Sequence, residues 1–156
     1  MMVRRAGVED AQAIALMVVE LLEEIMAASG SGQFSIDREK IRGRCRGFLE
    51  RGIYTVFIAP ADAGQFPMGF IALTEVHALY AEGAFGVIPE FYVRPGFRSL
   101  GMGRALMDAA MAYARERGWQ RLEVTTPPLP QFERTYLFYA GQGFEVAGGR
   151  KMKVSP

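Results

Sequence analysis

The sequence has one cysteine, one histidine and no long apolar run, and each shortage narrows what the chain can be. A lone Cys45 excludes an intrachain disulfide, and with only His77 to join it no metal site is expected. No apolar stretch reaches the roughly 18 residues that cross a bilayer. Met1-Met2-Val3-Arg4-Arg5 runs into Glu9 and Asp10 without the apolar core of an export signal. Charge of one sign is also missing: 18 basic against 17 acidic side chains leave a net charge of +1. That argues against bulk attraction to nucleic acid or to a membrane surface. The chain therefore reads as soluble and cytoplasmic, with recognition of any charged partner confined to local sites.

What is present suits one domain over residues 1–156: half the residues are apolar, enough to bury roughly two-thirds of the unfolded surface. No internal repeat or interdomain linker interrupts it. A short strand at residues 2–5 precedes a helix over about 8–27, where Ile14, Met17, Val18, Leu21, Leu22 and Ile25 recur at helical spacing. Ala28-Ser29-Gly30-Ser31-Gly32 breaks it. Ser35 or Asp37 then caps a second helix that buries Ile41, Cys45, Phe48 and Leu49. Strands are expected over 54–58, 69–76, 84–93 and 121–126, helices over 98–117 and 131–139, and a terminal strand within 144–154. This order predicts an α/β (α+β) fold, a mixed sheet flanked by helices.

The strongest local signal is Val93-Arg94-Pro95-Gly96-Phe97-Arg98-Ser99-Leu100-Gly101-Met102-Gly103-Arg104, which joins a strand to a helix. Gly101 and Gly103 remove side chains where backbone approaches a bulky anion, and the first helical turn supplies free N–H donors. Arg98 and Arg104 can add charge at the rim. A dinucleotide-binding turn would place a third glycine where Leu106 stands, and the Gly-Lys-Ser/Thr of a P-loop is missing.

Arg98-Ser99-Leu100-Gly101-Met102-Gly103 resembles the Arg/Gln-x-x-Gly-x-Gly/Ala signature of the GNAT superfamily of acyl-CoA-dependent N-acyltransferases. Tyr139-Ala140-Gly141-Gln142-Gly143-Phe144 is similar to the family's late-helix tyrosine and the Gly-Phe that follows it. The resemblance implies a GNAT-like fold with acetyl-CoA as acyl donor. It implies that the backbone of Phe91, Tyr92 and Val93 meets the pantetheine arm, and that the amides of Arg98, Ser99, Leu100, Gly101, Met102, Gly103 and Arg104 hold the pyrophosphate. The strands containing Val93 and Val124 are expected to separate around the thioester. Ser99 departs from the commoner glycine after the signature arginine.

Acyl transfer to an amine needs an acceptor for the amine proton and a donor for the departing thiolate. The resemblance puts the Tyr139 hydroxyl near the coenzyme sulfur as the acid, with Tyr136 as its substitute. Glu90, just before the strand end, is the candidate base, with Glu123 and His77 as alternatives. Cys45, set among Ile41, Phe48 and Leu49 with no paired base in view, reads as an inert thiol. The expected activity is N-acetylation of a primary amine on a small molecule by direct attack. Protein or peptide acetylation and noncatalytic acyl-CoA binding are the alternatives, and self-association as a homodimer is left open.

Overall fold

The computed structural model describes residues 2–30, 35–62 and 64–156. They form two compact units, residues 1–125 and 126–156. The first carries a six-stranded mixed sheet built from β1 (Arg4–Arg5), β2 (Tyr54–Ala59), β3 (Gly69–Ala78), β4 (Gly83–Ile88), β5 (Phe91–Val93) and β6 (Leu122–Val124). Its order is β1-β2-β3-β4-β6, with β5 paired to β3. Only the β4–β6 contact is parallel, because the helix α3 (Met102–Arg117) carries the chain between sheet positions.

Helix α1 (Ala11–Ser29) follows a short 3-10 turn, Val8–Asp10. The Asp10 carboxylate anchors that turn by accepting from the Gly7 amide at 2.8 Å and from both terminal nitrogens of Arg4 at 2.8 and 2.9 Å. Gly30, at φ 68°, closes α1 through its N–H to the Met26 carbonyl. Asp37 is the residue that caps α2 (Arg38–Glu50), accepting from the Lys40 amide at 3.2 Å. Part of the expected breaker, Ser31 and Gly32, lies outside the described residues.

Strand alternation sorts the core into two layers. Val56, Ile58, Phe70, Ala72 and Tyr92 form one cluster with Ile14, Met17 and Cys45 from α1 and α2. The odd-numbered positions point the other way: Thr55 Oγ1 donates to the Tyr113 hydroxyl of α3 at 3.1 Å, and Phe57 meets the Tyr113 ring edge-on at 5.9 Å. Leu106, Met107 and Ala110 of α3 are fully buried, as are Ile71 and Leu73. Burying each such large side chain contributes about 1.5–3 kcal/mol. At the far end of α3, Gly118 (φ 74°) turns the chain so that the Trp119 amide reaches the Ala114 carbonyl, and the Trp119 indole donates to Glu75 at 2.7 Å.

Two expectations need correction. The strand expected over residues 84–93 is interrupted at Pro89. Thr74 pairs with Val87, yet the Ala72 amide bonds the Glu90 carbonyl at 2.9 Å. Three residues on one strand thus span two on the other, which is a β-bulge, and the side-chain alternation shifts by one. The terminal strand expected within 144–154 is also missing: these residues are irregular, with Val146, Met152 and Val154 exposed by 81%, 92% and 87%. The Gly148-Gly149 pair, with Gly149 at φ 71°, breaks the alternation that suggested a strand.

In the second unit, α4 (Glu133–Gly141) ends in a Schellman cap. Gly143 at φ 98° sends its amide to the Ala140 carbonyl, and the Phe144 amide returns to the Tyr139 carbonyl at 3.0 Å. The Phe144 ring then packs edge-on against Tyr139 at 5.5 Å.

Candidate active site

The bulge decides where the candidate base points. An unbroken strand would have paired Ala72 with Pro89 and turned Glu90 toward α3. The extra residue instead puts Glu90 and Tyr92 on the α1/α2 side. There the Tyr54 hydroxyl, at the start of β2, donates to Glu90 Oε2 at 3.2 Å. The Tyr54 ring is braced by Phe48 of α2, with centroids 5.0 Å apart. Burial raises the Glu90 carboxyl above the usual range, opposed by the hydrogen bond from Tyr54. Burial and the adjacent carboxylate push the Tyr54 phenol far up, and the Cys45 thiol to about 11. Cys45 is therefore a thiol at neutral pH, unsuited to nucleophilic attack. A carboxylate with raised proton affinity, in contrast, suits proton abstraction from an amine.

The other candidate bases are engaged elsewhere. Glu123 accepts from Arg121 at 3.1 Å, and His77, largely exposed, contacts Glu75 at 3.1 Å near the β3–β4 turn.

Beyond Glu90, β5 offers an edge. Tyr92 exchanges backbone bonds with β3, so the N–H and C=O groups of Phe91 and Val93 face the opposite side. Strand β6 follows β4 only to the Ile88–Val124 pair and does not continue alongside β5. Thr126-Pro127-Pro128 follows, and its two prolines have no N–H to continue a ladder.

The chain then makes a 3-10 turn at Pro95–Phe97 and enters α3 through two left-handed residues, Ser99 (φ 65°) and Gly101 (φ 84°). Gly101 needs its freedom for this conformation, since space around it is open. A serine at positive φ is uncommon and costs about 1–3 kcal/mol locally. The turn leaves Met102, Gly103 and Arg104 in the first turn of a 16-residue helix, where N–H groups lack intrahelical partners. Ser99, Leu100 and Arg104 are exposed beside them. This cradle fits a pyrophosphate, and the adjoining β5 edge fits an extended amide-bearing arm such as pantetheine.

Arg98 is occupied differently from the expectation that it adds charge at the rim. Its Nε donates to the Val93 carbonyl and its Nη2 to Glu24, both at 2.8 Å. Tyr139 lies in the second unit, only 6% exposed, and burial raises its hydroxyl to about 12, so it holds its proton at neutral pH. Tyr136 lines a shallow groove with Leu129, Pro130, Glu133 and Leu137. Tyr54 is the functional candidate that sequence reasoning missed; its contact with Glu90 spans 36 positions and carries no local pattern.

A family model described as the acetyltransferase (GNAT) family matches residues 16–144, so the chain belongs to the GNAT acetyltransferase family. Solved structures agree on the fold. The ribosomal-protein-alanine N-acetyltransferase of Brucella melitensis biovar Abortus 2308 superposes with a TM-score of 0.72 at 17% identity, over 99% of each chain. A GCN5-related N-acetyltransferase from Ralstonia eutropha JMP134 gives 0.75 at 19% identity, over 98% of this chain and 97% of that one. An aminoglycoside acetyltransferase from an uncultured soil metagenomic sample gives 0.69 at 15% identity, over 99% and 96%. No curated protein matches the chain in sequence.

Proposed function

We propose that the chain is an acetyl-CoA-dependent N-acetyltransferase that acylates a primary amine of a small molecule by direct attack. The observation that carries this reading is the Glu90 carboxyl, turned by the bulge to the α1/α2 side, raised by burial, and set immediately before β5. Residues 91–93 and the amides of residues 98–104 would hold the donor.

Acetyl-CoA supplies an acyl group already activated as a thioester, so attack by the amine nitrogen forms the amide bond as the carbon–sulfur bond breaks. Glu90 takes the proton the amine must lose, directly or through one water, and Tyr54 steadies the carboxylate before it does so. The family resemblance assigns the proton for the departing thiolate to Tyr139, whose hydroxyl stays protonated at neutral pH. The thiol of Cys45 takes no part.

The test is incubation of the purified protein with acetyl-CoA and a mixed panel of amino acids, polyamines, aminoglycosides and peptides, reading released thiol together with product mass. Acetylated small amines support the reading. Acetylation confined to peptides moves the acceptor class to protein, and bound coenzyme with no product in any class contradicts catalysis.

A further inference from the structure

Beside the cradle lies a group of ionic side chains that the proposed chemistry does not use. Glu20 and Glu24 are one helical turn apart on α1 and share a face. Glu20 accepts from the Tyr92 hydroxyl at 3.0 Å and from Arg94 Nε at 3.3 Å. Glu24 accepts from Arg98 Nη2 at 2.8 Å. The Arg94 guanidinium lies over the Phe66 ring at 4.8 Å and that of Arg98 over the Tyr92 ring at 5.6 Å. Through Nε, Arg98 also closes the turn it terminates, holding the Val93 carbonyl at 2.8 Å. The last two residues of β5, the residue after it and the first residue of the loop are thus all tied, directly or through Arg98, to two carboxylates of one helix.

We infer that Glu20 and Glu24 are positioning residues of the acyl-CoA site, and that the Arg98 guanidinium acts as a strut between Glu24 and the Val93 carbonyl rather than as a ligand of the pyrophosphate. This rests on the reading that β5 and residues 98–104 hold acyl-CoA. A carboxylate beside a cradle for a polyanion repels the ligand on Coulombic grounds. Its placement is intelligible when its ion pair builds the cradle: it fixes where the strand ends, and so where the two left-handed residues and the amides of α3 begin. It also neutralises the guanidinium, so a phosphate would have to displace a 2.8 Å carboxylate contact to reach it.

The strut and the ligand roles predict opposite signs. Removing the Glu24 charge by Glu24→Gln frees a ligand arginine and lowers repulsion, which would tighten CoA binding. Removing it from a strut loosens the cradle and weakens binding. The measurement is calorimetric affinity for CoA across a salt series, with thermal melts without ligand, for Glu24→Gln, Arg98→Gln, the double variant and Gly103→Val.

The expected result is Kd raised about three- to five-fold by either single change, the range for a partly exposed ion pair. The double variant should be no worse than about the larger single effect. The salt dependence of Arg98→Gln should parallel that of the parent, and in Glu24→Gln KM for the donor should rise by more than kcat falls. Tighter binding in Glu24→Gln, or a flattened salt dependence in Arg98→Gln, would overturn the inference. Gly103→Val separates the two readings: if it weakens CoA binding and the Glu24 change does not, only the strut fails. If Gly103→Val leaves affinity intact, the location of the site fails and the strut with it. Should Glu24→Gln lower the melt of the free protein, Glu20→Gln reads the same effect through Tyr92 and Arg94.

Discussion

Replacing Tyr54 with Phe removes one hydroxyl and little else, since the ring stays braced against Phe48. The lost group donates to Glu90 Oε2 at 3.2 Å and favours the ionised carboxylate, against the burial that raises its proton affinity. A hydrogen bond to a charged group is worth about 1.5–3 kcal/mol, and a length at the long end of the range points to the lower value. About 1.4 kcal/mol is ten-fold in an equilibrium, so below the acid limb of the rate profile the ionised fraction of Glu90 should fall about ten-fold. Above that limb the carboxylate is ionised in both proteins and the rates should converge. The assay is kcat/KM for one acceptor across about pH 5.5 to 9.5. The acceptor's own deprotonation is common to both proteins and divides out of the ratio. A ratio that stays near one at every pH would refute the placement of Tyr54 on a working base. A uniform loss at every pH would assign Tyr54 to packing alone.

Tyr139→Phe keeps the ring inside the α4 cap and removes the proposed acid, so single-turnover kcat should fall about ten- to thousand-fold with CoA affinity retained; an unchanged rate returns Tyr139 to the cap. Gly86→Ala should destabilise the fold by about 1–3 kcal/mol in urea titration, because the added Cβ would meet the Trp119 ring and the Leu122 side chain; no loss would mean that the indole moves freely. For Asp10, the Arg4 hydrogen bond outweighs desolvation and, with the Gly7 amide, holds the carboxyl below its usual range. The stabilisation is therefore present above the ordinary aspartate range and lost as pH falls through the folded-state value. Asp10→Ala should cost about 1 kcal/mol at neutral pH, a modest figure because Arg4 is half exposed. The gap should narrow in acid, and a gap independent of pH would remove the ion pair from the account.

The local elements legible in the sequence are those encoded over a few neighbouring residues: the glycine-rich junction that leads into α3, and the late helix that ends ahead of Gly143 and Phe144. What was not legible depends on a count of one or on distance along the chain. The single residue added at Pro89 decides which face Glu90 occupies; the proline marks a break in the ladder but does not fix the register beyond it. The partners of Glu90 and Arg98 lie 36 and 74 positions away, so neither the Tyr54 contact nor the Glu24 strut has a spacing to read. The error at residues 144–154 has the reverse cause: alternation there imitates a strand, but a left-handed Gly149 breaks it.

The central claim is that acetyl passes from coenzyme to amine in one step governed by the chain's own acid and base. It is tested most directly by a single turnover with isotopically labelled acetyl-CoA and an acceptor found in the panel, following the label in product, acetate and intact protein by mass. The account predicts label on the amine nitrogen, appearing at the rate of thiol release, with no acetylated protein and the same course in Cys45→Ala. Label accumulating first on the protein, or thiol release matched by free acetate, would contradict it.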